Sequence, residues 1–104
     1  MMIEYQTLRI DTNSKQCSID RKIIFLTKKE YELLVLLITN PDYVYSREEI
    51  LKELWQNSVS IRTVDTTVSR LRKKLGKYSE NLQTRIGFGY SFHFENLLNA
   101  GGVE

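Results

Sequence analysis

The sequence contains few of the residues that would indicate a disulfide-bonded, metal-binding or membrane-spanning protein. Cys17 is the only cysteine among 104 residues, so an internal disulfide is impossible and a reducing, cytoplasmic compartment is expected. Cys17 and the single histidine, His93, are too few ligands for a structural zinc site. The longest apolar run, Leu33 to Ile38, is far shorter than the roughly 18 residues of a membrane span. The acidic N-terminal residues also lack the apolar segment of a signal peptide.

Catalytic motifs are absent from the sequence as well. It contains no Walker-type phosphate loop, no HExxH and no paired-cysteine motif. The Gly87-Phe88-Gly89 segment lacks the third glycine and the following helix that a dinucleotide site requires. A lone histidine in an aromatic strand is far more often structural than catalytic. We therefore expect no enzymatic activity, no catalytic residue, no metal and no cofactor.

Positive charge is concentrated in one stretch, Ser60 to Tyr78. Residues 61–78 contain six Lys or Arg and one Asp, a local charge of +5, whereas the whole chain carries only +2. Apolar side chains recur there at helical spacing and predict an amphipathic helix whose stripe is Val64, Val68, Leu71 and Leu75. The opposite face carries Arg62, Thr66, Ser69, Arg70, Lys73 and Lys77. Gly76 is expected to loosen the last turn before a loop over residues 79–81.

A charged helix face is often only a solvated face, but two features of this stretch favour DNA binding. No Glu lies four residues before Arg70, Lys73 or Lys74 to neutralise them. The first half of the face consists of small polar residues, which allow a helix to approach base edges, while an arginine among them can reach a guanine. This arrangement is typical of a helix that enters the major groove.

The remaining residues predict a small sheet, two further helices and a hairpin. Short strands at 8–11, 16–19 and 22–25 predict an antiparallel sheet of three or four strands. Thr27 with Glu30, and Ser46 with Glu49, form capping-box patterns that begin two helices. The first helix is expected to reach Asn40, before Pro41, and the second to end near residue 55. Residues 82–86 and 90–94 predict a hairpin around the two glycines.

The segment RTVDTTVSRLRKKL, preceded by an L-T-x-x-E helix start and followed by a G-x-G-Y hairpin, resembles the OmpR/PhoB-type winged-helix effector domain of bacterial two-component response regulators. The resemblance covers about residues 8–92. It implies an α+β winged helix-turn-helix with an N-terminal antiparallel sheet, three helices and a C-terminal β-hairpin wing. We expect one domain over residues 1–104, with a core of about 3–94 and a tail at 95–104.

The resemblance implies sequence-specific binding of double-stranded DNA, with the charged helix in the major groove and the wing on the backbone or minor groove. Arg70 is the first choice for a base contact, with Thr66 and Ser69 beside it. Phosphate contacts are expected from the helix residues Arg62, Thr67, Arg72 and Lys73, and from the wing residues Thr84, Arg85 and Tyr90. The indole N–H of Trp55 matches a phosphate contact of the family, although Trp55 could equally be a core residue.

The wing departs from the family at one position. Relatives carry a minor-groove arginine immediately before the first glycine of the wing, whereas this chain has Ile86 there and Arg85 one place earlier. Successive strand residues point to opposite faces, so Arg85 is expected to contact a phosphate instead.

The resemblance also implies partners beyond DNA. These are a receiver domain in the intact protein, a second copy on tandem DNA sites, and RNA polymerase through the loop at 56–60; no membrane partner is expected. The acidic pocket of a receiver is absent from the sequence, so this chain is not itself the phosphorylated part. Two alternatives stay open: a winged-helix protein-interaction module without specific DNA binding, and the DNA-binding domain of a ToxR-like membrane-anchored activator.

Overall fold

The computed structural model describes residues 1–94, so the tail predicted at 95–104 lies outside the described part. An N-terminal sheet precedes three helices and a terminal hairpin, which confirms the predicted winged-helix architecture. The elements are β1 (Met2–Tyr5), β2 (Leu8–Asp11), β3 (Gln16–Ile19), β4 (Lys22–Ile24), α1 (Lys28–Ile38), α2 (Arg47–Trp55), α3 (Arg62–Leu75), a 3-10 helix (Gly76–Asn81), β5 (Leu82–Arg85) and β6 (Gly89–Phe92).

The N-terminal sheet is an antiparallel meander of four strands in the order β1-β2-β3-β4. Asp20 and Arg21 join β3 to β4 with φ of 52° and 68°, the positive values that a type I′ hairpin turn requires. Ile10, Cys17 and Ile24 align across three neighbouring strands, and the first two are buried against the helices. One face of the sheet therefore covers the helical core.

Both predicted capping boxes are present. Thr27 accepts a hydrogen bond from the Glu30 backbone while the Glu30 carboxylate accepts from Thr27 N–H, and Ser46 and Glu49 form the same reciprocal pair. These caps satisfy backbone donors that the first turn of a helix leaves unpaired. Helix α1 ends at Ile38, two residues before the predicted end, while α2 ends at Trp55 as expected.

Helix α3 buries the predicted apolar stripe: Val64, Val68, Leu71 and Leu75 are at most 1% exposed. The helix is shorter than predicted, however, because Gly76 has φ 56° and ψ −116°, which no α-helix accommodates. The chain continues as the 3-10 helix, which places Tyr78 in the core, where its hydroxyl accepts a hydrogen bond from Thr7 N–H at 2.8 Å.

The hairpin formed by β5 and β6, here called the wing, is joined to the helices at its base. Tyr45 and Tyr90 exchange two backbone hydrogen bonds of 2.9 Å, so the chain before α2 pairs with β6. Leu82 and Phe92 lie opposite each other at the base and are buried. Both strands are shorter than predicted, because they end at Arg85 and Phe92.

Candidate nucleic-acid interface

One face of α3 presents three unpaired cations beside small polar side chains. Arg62, Arg70 and Lys73 are exposed, and within residues 1–94 their side chains make no hydrogen bond or ion pair. Thr66 and Ser69 are exposed on the same helix, and the Thr66 hydroxyl donates to the Arg62 carbonyl. The surface therefore offers positive charge that no group within residues 1–94 neutralises, next to side chains small enough for a ligand to approach closely.

The other three cations of this stretch have partners within the fold. Lys74 bonds the Glu30 carboxylate at 2.6 Å, Lys77 bonds Asp20 at 2.9 Å, and Arg72 donates to the wing. Burial alone would raise the pKa of Glu30, but the Lys74 ammonium and the Thr27 N–H lower it below its ordinary value, so the carboxylate stays ionised. Fewer cations are therefore free to bind a ligand than the sequence suggests.

Arg72 connects α3 to the wing. Its Nε and Nη2 both donate to the Leu82 carbonyl, at 2.9 and 2.7 Å, and Nη2 also donates to Thr84 Oγ1 at 2.7 Å. A guanidinium carries five N–H groups, so these contacts leave the two on Nη1 available. The same side chain can thus hold the wing and contact a phosphate.

Arg47, Asp65 and Tyr90 form a cluster that the sequence analysis did not identify. Arg47 donates two hydrogen bonds to the Asp65 carboxylate, at 3.0 and 2.6 Å, and the Tyr90 hydroxyl donates a third at 2.7 Å. The three residues belong to α2, α3 and β6. The cluster therefore fixes α3 against both α2 and the wing.

The protonation states of this cluster are set by the same contacts. Partial burial would raise the pKa of Asp65, but the hydrogen bonds from Arg47 and Tyr90 lower it below its ordinary value. Burial and then the bond to Asp65 raise the pKa of Tyr90 to about 12. Near neutral pH, Asp65 is thus a carboxylate and Tyr90 a neutral donor.

Two predicted phosphate contacts have their hydroxyl hydrogens engaged within the protein. Thr67 is buried and its hydroxyl donates to the Thr63 carbonyl at 2.7 Å, while Tyr90 is buried and donates to Asp65. A phosphate requires a donor, and each of these groups has only one hydrogen to give. Thr84 and Arg85, by contrast, are exposed on β5.

A groove beside α3 brings Trp55 together with Lys29, which sequence reasoning missed. Lys29 Nζ lies 5.6 Å from the centre of the Trp55 ring and donates to the Leu54 carbonyl. Trp55 is 9% exposed, so it packs in the core. Within residues 1–94 the indole N–H of Trp55 has no hydrogen-bond partner. Ser91 Oγ is the only fully buried side-chain polar atom without a partner in these residues, so the Trp55 indole N–H must be accessible at the surface. The groove continues to Thr67, Arg70 and Lys73.

Other kinds of site are not found in the part of the chain that the structure describes. No group of three or more metal-ligating side chains occurs among residues 1–94. None of the helices described is long and apolar enough to cross a membrane. Burial raises the pKa of the Cys17 thiol to about 11, which disfavours the reactive thiolate.

The family model described as "Transcriptional regulatory protein, C terminal" matches residues 20–92. The transcriptional regulatory protein SrrA of Staphylococcus aureus is 41% identical over an alignment of 101 positions; the alignment covers 91% of this chain and 42% of SrrA. The response regulator DrrB of Thermotoga maritima, an OmpR/PhoB homologue, superposes with a TM-score of 0.82 at 34% identity, over 88% of this chain and 44% of DrrB. The RstA DNA-binding domain of Klebsiella pneumoniae, solved in complex with the RstA box, gives 0.80 at 29% identity, over 90% of this chain and 98% of that one.

The chain therefore belongs to the OmpR/PhoB-type winged-helix domains found at the C terminus of response regulators. It spans about two-fifths of the length of the curated relatives it matches.

Proposed function

We propose that this chain binds double-stranded DNA sequence-specifically, as the output domain of a transcription-regulating response regulator. The observation that carries the proposal is the unpaired, exposed cationic face of α3, which includes Arg62, Arg70 and Lys73. A helix with small polar residues and free cations matches the shape and chemistry of the major groove. The relative RstA, whose DNA-binding domain was solved on its box, supports the same assignment.

The proposed DNA contacts are of two kinds, to base edges and to phosphates, according to the position of each side chain on α3 and the wing. Arg70, with Thr66 and Ser69, contacts base edges, because these side chains are exposed and small residues surround the arginine. Phosphates are contacted by the remaining free donors, which are Arg62, Arg72 Nη1, Lys73, Thr84, Arg85 and the Trp55 indole. Tyr90 instead holds the wing against α3 through Asp65, and Thr67 donates to the Thr63 carbonyl of its own helix, so neither hydroxyl is assigned to a phosphate.

Selection from a random duplex pool, followed by mobility shifts over a salt series, tests this function. We expect an enriched site. The logarithm of the binding constant for that site should fall linearly with the logarithm of the salt concentration, because each neutralised phosphate releases counterions. Pool DNA should bind more weakly with a similar salt slope. Failure to enrich any site, together with salt-independent binding, would instead support a protein-interaction module.

The wider assembly follows from the relatives as a proposal. SrrA and DrrB are about twice as long as this chain, so a receiver domain is proposed for the intact regulator. A second copy is proposed on tandem sites, RNA polymerase is proposed to meet the exposed loop at 56–60, and the working compartment is proposed to be the cytoplasm.

Replacing Arg70 with Ala should weaken binding to the selected site by about 1–3 kcal/mol and weaken pool binding much less. The physical reason is the loss of a bidentate contact to one base pair. Mobility shifts on both DNAs measure this difference. Arg9→Ala removes an exposed arginine from the sheet and is the matched control. Equal losses on both DNAs would show that Arg70 contacts only the backbone.

Replacing Lys73 with Ala should weaken binding to every duplex and reduce the salt slope by roughly one unit. Lys73 lies late in α3 and has no partner within residues 1–94, so its charge is available to a phosphate. The neighbouring Lys74 is paired with Glu30, so Lys74→Ala should change the slope less. A slope that stays constant in Lys73→Ala would remove Lys73 from the interface.

Replacing Arg85 with Ala should cost on the order of 1 kcal/mol of affinity with little change in A·T preference. Arg85 is the only Lys or Arg in residues 82–94 and is exposed without a partner among the described residues. Mobility shifts on selected duplexes with A·T or G·C flanks measure both quantities. Loss of A·T preference would place Arg85 in the minor groove, and unchanged affinity at low salt would take it off the DNA.

A further inference from the structure

Two large apolar side chains project from the end of the wing. Ile86 is 90% exposed and Phe88 is 75% exposed, and only Gly87 separates them. Single exposed apolar residues are ordinary on protein surfaces. A pair concentrated at the end of one hairpin is less ordinary, because both side chains forgo the stabilisation that burial would give. We call this pair the apolar wing tip.

The turn that carries the apolar wing tip is ordered. Phe88 N–H donates to the Arg85 carbonyl at 2.8 Å, and Gly87 has φ 84° at the third position of this four-residue turn. A type II turn requires a positive φ there, and glycine supplies it without strain. The turn therefore holds Ile86 away from the strands rather than letting it fold back onto them.

The wing that supports this tip is fixed relative to α3. Arg72 of α3 bonds Leu82 and Thr84 on β5, and Asp65 of α3 accepts from Tyr90 on β6. A duplex bound by α3 would therefore meet the wing at one defined distance along its axis. A side chain at the wing tip can act at one particular base step only if its position relative to α3 is fixed in this way.

The charges around the tip favour DNA as its partner. Residues 82–94 contain Arg85 and no Asp or Glu, so nothing in the hairpin itself repels phosphates. Arg85 borders the tip and has no partner within residues 1–94, while Arg47 and Glu48 of α2 line the same groove with opposite charges. An apolar end flanked by a free cation can enter a groove while the cation contacts the phosphate at its edge.

We infer that Ile86 and Phe88 act as an apolar wedge that enters the minor groove of the bound duplex and partly unstacks one base step. The inference rests on the proposed function and adds to it a second determinant of specificity. Apolar wedges of this kind kink a duplex by about 20–90°. Pyrimidine–purine steps unstack most easily, so the preferred site would carry one at a fixed distance from the bases that α3 contacts.

Fluorescence of 2-aminopurine tests the wedge directly, since this base brightens when it unstacks. The probe is the duplex selected by the wild-type chain, with 2-aminopurine replacing one adenine at a time on the wing side. We expect one position to brighten on binding of a single copy. The Ile86→Ser/Phe88→Ser double variant should abolish the increase and lower affinity on the order of tenfold, because apolar burial is lost.

Two further variants separate the wedge from general effects of apolar surface. Phe25→Ser removes a phenylalanine that is 83% exposed before α1, far from the wing in sequence, and should leave the fluorescence unchanged. Ile86→Leu keeps the volume and should preserve most of the increase. Thermal unfolding should be alike for all variants, because every changed side chain is exposed.

The inference would be overturned if the wild type binds the selected duplex without brightening any base. It would also be overturned if the double variant binds a single site normally but loses cooperativity on tandem sites, because the tip would then contact a second protein copy. Both results leave salt-dependent binding intact. Loss of the proposed function itself would appear differently, as a wild-type chain that enriches no duplex at all.

Discussion

Val68→Asp is expected to unfold the domain rather than remove a DNA contact. Val68 lies in the middle of the stripe that α3 buries and is 1% exposed. A carboxylate there would be desolvated without a partner, which costs several kcal/mol, whereas an entire small domain is stable by only about 5–15 kcal/mol. Circular dichroism with thermal unfolding should show loss of the cooperative transition.

The adjacent residue gives a matched control for this substitution. Ser69→Asp introduces the same charge one position along α3, on the exposed face. This variant should fold normally and bind DNA less well, because the new charge faces the phosphates. A folded Val68→Asp variant, or an unfolded Ser69→Asp variant, would contradict the assignment of the two faces of α3.

Gly89→Ala should destabilise the fold by about 2–4 kcal/mol and disturb the wing. A Cβ atom on Gly89 would lie 1.9 Å from the Tyr45 carbonyl oxygen and 2.8 Å from Ser46 Cα, which are backbone atoms that cannot rotate away. Separating the two segments would break the backbone hydrogen bonds between Tyr45 and Tyr90. Gly89 also has φ 142°, which an L side chain rarely adopts.

Gly87→Ala is the control for this second prediction. Gly87 also has a positive φ, but a Cβ there meets no atom within 4 Å, so only the backbone cost of about 1 kcal/mol applies. Urea unfolding of the two variants measures the difference. Equal destabilisation of the two variants would show that the close approach of Gly89 to the Tyr45 backbone adds nothing to the free-energy cost of Gly89→Ala.

The predictions that the structure confirms rest on local physics. Both capping boxes involve groups three residues apart, so the sequence alone contains each complete interaction. The buried stripe of α3 follows from helical periodicity in the same way. The sequence predicts that Gly76 loosens the last turn of α3, but the φ and ψ values that end the helix there accompany the burial of Tyr78 in the core.

The contacts that sequence reasoning missed join residues far apart in the chain. Glu30 is 44 residues from Lys74, and Arg47 is 18 residues from Asp65. No periodic pattern links such positions, so the sequence alone predicts no partner for Lys74. The bond from Tyr90 to Asp65 spans 25 residues and was missed for the same reason. The Thr67 hydroxyl, by contrast, bonds the Thr63 carbonyl four residues away, a partner that helical spacing alone places within reach.

Methylation interference on the selected duplex tests the central claim most directly. Dimethyl sulfate methylates guanine N7 in the major groove and adenine N3 in the minor groove, so one reaction distinguishes the two grooves. A major-groove contact by Arg70 predicts that methylation of one guanine blocks binding by the wild type, and that Arg70→Ala becomes indifferent to that same guanine. Binding that no guanine methylation disturbs, or a guanine effect that persists in Arg70→Ala, would contradict the placement of α3 in the major groove.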